Sequence, residues 1–139
     1  MDKLILEKVN YQYQEGLEAE AVEIYINGKK LTDILYEYEC MRNEENEHVF
    51  APVSARYLYD ELTKYYKETP NNTATILGCR CGEPQCDPLY VSIKVGKNFV
   101  EWIVLDWSTD KEYSVYLESF TFEKKQYDDE LGKLKNYMR

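Results

Sequence analysis

Cys79, Cys81 and Cys86 fall within eight residues, inside the stretch Gly78-Cys79-Arg80-Cys81-Gly82-Glu83-Pro84-Gln85-Cys86-Asp87-Pro88. Three of the four cysteines of a 139-residue chain therefore sit beside two glycines and two prolines, residue types that shape a turn. Thiols gathered on a turn suit three roles. The first is zinc, which takes four N or S ligands at tetrahedral corners. Cys79, Cys81 and Cys86 would supply three of them, and Cys40, His48 or Asp87 the fourth. Gly82 would let the backbone curl so that N–H groups point at a sulfur. The spacing is Cys-x-Cys-x4-Cys, not a pair of Cys-x2-Cys knuckles. Residues i and i+2 of a regular strand lie about 6–7 Å apart, so the strand has to break before both sulfurs can reach one metal.

The second role is thiol redox chemistry. Neighbouring thiols can cycle to a disulfide, and Arg80 would favour the thiolate. A Cys-x-Cys ring is tight and strained, which makes it oxidising, but no Cys-x-x-Cys at a helix start accompanies it. The third role is packing. A reduced cysteine behaves as a small hydrophobe, and the glycines and prolines would then only shape the hairpin loop.

Other residues that could do chemistry lack partners in the sequence. His48 is the sole histidine and lies in the acidic run Glu44-Glu45-Asn46-Glu47, which suits a solvated loop or a weakly held hard cation. A nucleophilic Cys–His pair with Cys40 or Cys86 has no local signature, and there is no Gly-x-Ser-x-Gly. Phosphate-cradling glycine loops of the dinucleotide and P-loop types are missing too. Glu101 and Asp106 flank a long apolar segment, but five residues apart on a strand they point to opposite faces. No catalytic set emerges, and the chain leans away from being an enzyme. No catalytic or cofactor-binding residue is assigned.

The elements that must position these residues follow from periodicity. Leu4 to Tyr13 alternates loosely as a first strand. Ala21 to Ile26 alternates clearly, with Val22, Ile24 and Ile26 on one face and Glu23 and Tyr25 on the other. Asn27-Gly28 turns the chain, since that pair tolerates positive φ. Helical spacing of Leu31, Ile34, Leu35, Tyr38 and Met41 predicts a helix from about Thr32 to Met41, with Thr32 as N-cap and Asp33 in the first turn. A second helix is expected from about Ser54 to Glu68, with Leu58, Leu62, Tyr65 and Tyr66 on its stripe, ended by Pro70.

Thr73 to Leu77 enters the cysteine turn and Leu89 to Val95 leaves it. Gly96-Lys97-Asn98 makes a hairpin turn. Phe99 to Trp107 is a long apolar strand, a candidate for cover on both faces, and Tyr113 to Phe120 returns. A closing helix from about Glu123 to Tyr137 carries Tyr127, Leu131, Leu134 and Met138 on one stripe and Asp128-Asp129-Glu130 on a solvated face. The expectation is a single α+β domain over residues 1–139, with a mainly antiparallel sheet of about six strands, a four-strand C-terminal meander and three helices.

Composition narrows the function classes. With 17 basic and 26 acidic residues the net charge is −9, which repels nucleic-acid backbones and anionic membranes and suits a basic protein partner. Fourteen tyrosines and two tryptophans suit contact surfaces as well as half-wet cores. No apolar run reaches the ~18 residues of a membrane span, and the first residues carry no leader pattern. The expected setting is the cytoplasm, where cysteines stay reduced, bind metal or do redox chemistry.

The C-terminal half resembles a family of small bacterial proteins that share Gly-Cys-x-Cys-Gly-x-x-x-Cys-x-Pro-Leu, then Val-x-Trp, then Phe-x-Phe and a tyrosine-bearing helix. In this chain those are Gly78-Cys79-Arg80-Cys81-Gly82, Cys86-Asp87-Pro88-Leu89, Val100-Glu101-Trp102 and Phe120-Thr121-Phe122, followed by Tyr127 and Leu131, over roughly residues 76–131. Members often carry Gly-Cys-Trp-Pro where this chain has Gln85-Cys86-Asp87-Pro88. The resemblance implies a bacterial, single-domain, cytoplasmic protein; the family has no established activity and implies none. The sequence as a whole favours a non-enzymatic binding protein that covers a basic partner, as an immunity protein would. The alternative is a small zinc- or thiol-dependent protein centred on Cys79, Cys81 and Cys86.

Overall fold

The computed structural model describes residues 1–42, 50–64, 73–79, 81, 89–104 and 118–138. Its elements are β1 (Leu4–Gln12), a 3-10 turn (Gln14–Gly16), β2 (Glu18–Ile26), β3 (Lys29–Lys30), α1 (Leu31–Arg42), β4 (Phe50–Ala51), α2 (Ala55–Leu62), β5 (Thr73–Cys79), β6 (Leu89–Val95), β7 (Phe99–Val104), β8 (Glu118–Glu123) and α3 (Lys124–Tyr137). The fold is α+β, with an antiparallel sheet ordered β1-β2-β3 and a second ordered β4-β5-β6-β7-β8. The expected C-terminal meander is β5 to β8, flanked by the short β4. Eight strands replace the expected six or so because β3 and β4, two residues each, are too short to show a period.

Local chemistry explains most boundaries. Asn27 and Gly28 both take positive φ (55° and 83°), and the β2–β3 turn is built on them. Ser54 caps α2, its hydroxyl accepting from the Tyr57 N–H at 3.1 Å. The helix α1 starts at Leu31, one residue before the expected start, so Thr32 lies in its first turn and does not cap it. The last described strand is Glu118–Glu123, three residues past the expected end at Phe120, and residues 113–117 of the expected span lie outside the described part. The Phe120-Thr121-Phe122 alternation sets it, with both phenylalanines buried. Residues 105–117 and 65–72 lie outside the described part, so Trp107, Asp106, Tyr65 and Tyr66 do too.

One hydrophobic cluster joins both sheets and all three helices. It includes Leu6, Val22 and Ile24 from β1 and β2, Leu31 and Leu35 from α1, Leu58 and Leu62 from α2, and Trp102 and Phe122 from β7 and β8. At its centre the Trp102 ring meets Phe122 edge-on at 5.2 Å and Tyr127 at 5.9 Å. The Trp102 indole N–H donates to the Tyr127 hydroxyl at 3.0 Å, so a buried donor is satisfied inside the core. The expected cover on both faces of β7 is not found: Val100, Trp102 and Val104 are buried, whereas Phe99 is exposed and Glu101 and Ile103 are half-exposed.

The two sheets are stitched at two points. Asp2 bridges Phe122 in parallel, and Val22 bridges Val53 in antiparallel. Asp2 makes this join with its own backbone and side chain, donating from its N–H to the Thr121 carbonyl (2.8 Å) and accepting from the Thr121 N–H (2.8 Å). Past that point α3 meets the edge of β1. Gln126 both accepts from the Leu4 N–H and donates to the Leu4 carbonyl, Glu130 accepts from the Leu6 N–H at 2.8 Å, and the Tyr137 hydroxyl donates to the Leu6 carbonyl at 3.0 Å. Side chains of a helix thus take the place of a neighbouring strand. Glu130 is only 6% exposed, which corrects the expectation that Asp128-Asp129-Glu130 is one solvated face.

Because an unpaired buried backbone donor costs about 1–3 kcal/mol, Glu130→Ala should lose about that much stability, and so should Tyr127→Phe, which orphans the indole N–H of Trp102. Lys133→Ala removes only a part-exposed ion pair to Glu130 and should stay within about 1 kcal/mol of the parent. Urea unfolding of the three variants checks the order; equal losses for Glu130→Ala and Lys133→Ala would refute the edge-pairing role.

Candidate functional site

The cysteine turn begins where β5 stops. Cys79 is the last residue of that strand, paired across to Phe50 of β4, and Cys81 already lies in a turn. The break that a shared metal would demand is therefore present. Cys79 is half-buried and Cys81 exposed, and neither is in a disulfide. The Cys81 backbone N–H donates to the Cys79 sulfur at 3.4 Å. Gly82, on which the expected curl of the backbone rested, lies outside the described residues. Arg80, Cys86, Asp87 and His48 lie outside the described residues, and Cys40 belongs to α1. Among the described residues no group of three His, Cys, Asp or Glu side chains could hold a metal.

The Cys79 thiol also lines a cleft of about 210 Å³ that the sequence did not foretell. Its other walls are the tip of the β1–β2 hairpin (Tyr13, Leu17, Ala19) and the segment after β4 (Pro52, Val53, Ser54). The 3-10 turn bends the hairpin tip, with Gly16 at φ 75°. The Tyr13 hydroxyl donates to the Pro52 carbonyl at 2.6 Å, which fixes the tip against that segment. Tyr11 and Tyr13 meet edge-on at 4.7 Å. Burial, together with the nearby Tyr11 and Glu23, pushes the Tyr13 phenol up to about 12, so it stays a neutral donor. Leu17 is 54% exposed at the mouth.

A second cleft, also about 210 Å³, lies on the other side of Glu20. Lys8, Ser54, Arg56, Tyr137 and Met138 are among the residues that line it. Glu20 borders both clefts and pairs with Lys8 at 3.2 Å while both remain exposed. The sequence offered no signal for either cleft, because residues 13–20, 52–54 and 78–79 are brought together by the Val22–Val53 bridge, the Tyr13–Pro52 bond and the β4–β5 pairing.

Glu23 lines neither cleft, but its burial also departs from the alternation of β2. Alternation assigned it to the outward face of β2, opposite Val22 and Ile24, yet it is 4% exposed. It stands across from Glu7 in the β1–β2 register, and α1 packs against β2 and β3 on that side. Its Oε2 has no hydrogen-bond partner among the described residues. Burial raises its carboxyl above the ordinary glutamate range; Lys30 opposes this, and Asp33 and Glu7 add to it. A carboxyl raised in the folded state costs nothing when protonated in both states. Its penalty grows as pH rises through the unfolded and then the folded value.

No family model, no curated protein and no solved structure matches the chain.

Two outcomes are expected. Glu23→Gln should gain stability over the parent as pH rises past the ordinary glutamate range and should be equal to it at strongly acidic pH; melting curves from pH 3 to 8 give the comparison, and a constant offset would exclude a titrating carboxyl. In alkylation with iodoacetamide followed by peptide mapping, exposed Cys81 should label before half-buried Cys79, since thiol reactivity tracks access. The reverse order would mean that the cleft activates Cys79.

Proposed function

We propose that this chain is a non-enzymatic binding protein of the bacterial cytoplasm that covers a basic protein partner, in the manner of an immunity protein. One observation carries the reading: the rigid hairpin tip presents Tyr11, Tyr13, Leu17 and Ala19 beside Glu18 and Glu20, on a chain whose net charge is −9. Tyrosine is a frequent interface anchor because it adds large contact area at a small entropy cost. Carboxylates around it steer a cationic partner and reject acidic ones. No helix among the described residues is long and apolar enough to cross a membrane.

The rival reading is a zinc- or thiol-dependent protein built on Cys79, Cys81 and Cys86. The N–H to sulfur contact at the strand break favours it. The two readings separate cleanly. In the binding reading, the immobilised chain captures a basic protein from extract of its source cell; the repurified pair re-forms, and its affinity falls steeply with salt. Absence of any salt-sensitive basic partner rules that reading out. In the zinc reading, protein prepared without chelator or tag carries about one zinc per chain, and replacing the three cysteines unfolds it, since a structural metal contributes directly to folding.

A further inference from the structure

We infer that the cleft between the β1–β2 hairpin tip and segment 52–54 receives one arginine or lysine side chain of the basic protein partner, with Glu20 as its counter-ion. The inference rests on the binding reading and assigns its contact point.

Size comes first. Pockets that hold small molecules measure roughly 300–1,000 Å³. This one, at about 210 Å³, falls below that range and suits a single long side chain entering from a larger surface. Shape and polarity follow. Leu17, Ala19, Pro52 and Val53 give apolar walls for a methylene stem, and the Tyr13 ring offers an aromatic surface to a cation. Tyr13 is held in place by its bond to the Pro52 carbonyl, so a guest would order little on entry.

Charge decides the sign of the guest. Among the described residues the lining of this cleft contains Glu20 and no basic residue, whereas Lys8 and Arg56 join Glu20 in lining the neighbouring cleft. An anion would therefore be drawn to the neighbouring cleft. Among the described residues Glu20 is tied to Lys8, in an exposed pair (40% and 69%). Water and salt weaken such a pair, and a guest cation that leaves water in the cleft can displace it. Around the mouth, exposed Leu17 together with Glu18 would meet the rest of the partner surface.

The test titrates the ¹⁵N-labelled chain with a peptide of alternating arginine and glycine, and in parallel with its citrulline twin, which keeps the shape and loses the charge. The expected result is a set of amide shifts centred on Tyr13, Leu17, Ala19, Val53 and Gly78, seen with arginine and not with citrulline. Glu20→Gln should weaken binding about tenfold, the factor carried by one charge-assisted hydrogen bond. Asp129→Asn, on the exposed face of α3, should leave it unchanged. Both positions are exposed, so the spectra of the variants should otherwise overlay the parent's. Shifts centred elsewhere, an equal response to citrulline, or no response overturn the assignment of this cleft. If a captured basic partner binds the parent and Glu20→Gln equally, the cleft is wrong while the binding reading stands. If no basic partner is captured and the peptide is silent, both fail.

Discussion

The free edge of β1 is the constraint around which the molecule is arranged. Among the described residues no strand covers that edge beyond Asp2, yet Leu4 and Leu6 are buried and their backbone groups need partners. Gln126, Glu130 and Tyr137 supply them from one face of α3. The requirement sets the helix's axial position and rotation, which in turn place Tyr127 under Trp102 and Leu131 and Leu134 in the core. A strand edge closed in this way is also closed to other chains. The same device recurs on a smaller scale where Glu61 of α2 accepts from the Thr75 N–H of β5 at 2.7 Å, beside the register shift between Thr75 and Leu77.

Acidic residues therefore do three different things here, and the net charge of −9 hides the division. Glu130 and Glu61 face backbone donors, where a carboxylate makes a stronger bond than a neutral acceptor. Glu130 is further balanced by Lys133, whose ammonium is held above its usual value chiefly by their hydrogen bond. Glu23 is buried without such compensation for its Oε2. Glu18 and Glu20 remain in solvent at the hairpin tip, where Glu18 also bonds Asn10. These last two carboxylates are left to solvent, whereas Glu130, Glu61 and Glu23 are taken up inside the fold.

What could be read from the chain alone is what local chemistry decides. Val22, Ile24 and Ile26 alternate and are buried at 1% each; Asn27-Gly28 turns because both residues can take positive φ. Leu58 and Leu62 mark the inner face of α2, and Phe99 to Val104 and Leu89 to Val95 pair as a hairpin. The strand entering the cysteine turn was legible from Thr73 to Leu77, and it runs two residues further, to Cys79. Glu130, Glu61 and Glu23 were illegible for one shared reason. Each looks like a solvated acid in its own element, and only packing against another element buries Glu130 and Glu23 and half-buries Glu61. The clefts beside Glu20 were hidden likewise, as their walls come from three separate segments. The two-residue β3 and β4 left no period to detect, and they are defined by their partners, β2 and β5.

The bonds that close the β1 edge also carry a cost in time. They span 122 to 131 positions along the chain, almost the widest separation it allows. Contacts of that range form late and slowly, because the loop between them must first be ordered. On a ribosome the β1–β2 hairpin emerges well before residues 126–137 exist to meet it. Through that interval Leu4 and Leu6 offer an apolar, half-paired strand edge to any other nascent chain. Lys8, and the lysines of β3 on the opposite border of the sheet, are then what discourages a wrong partner, since charged edge residues oppose edge-to-edge association. The safeguard of the finished protein is a helix; the safeguard of the growing one is a few positive charges.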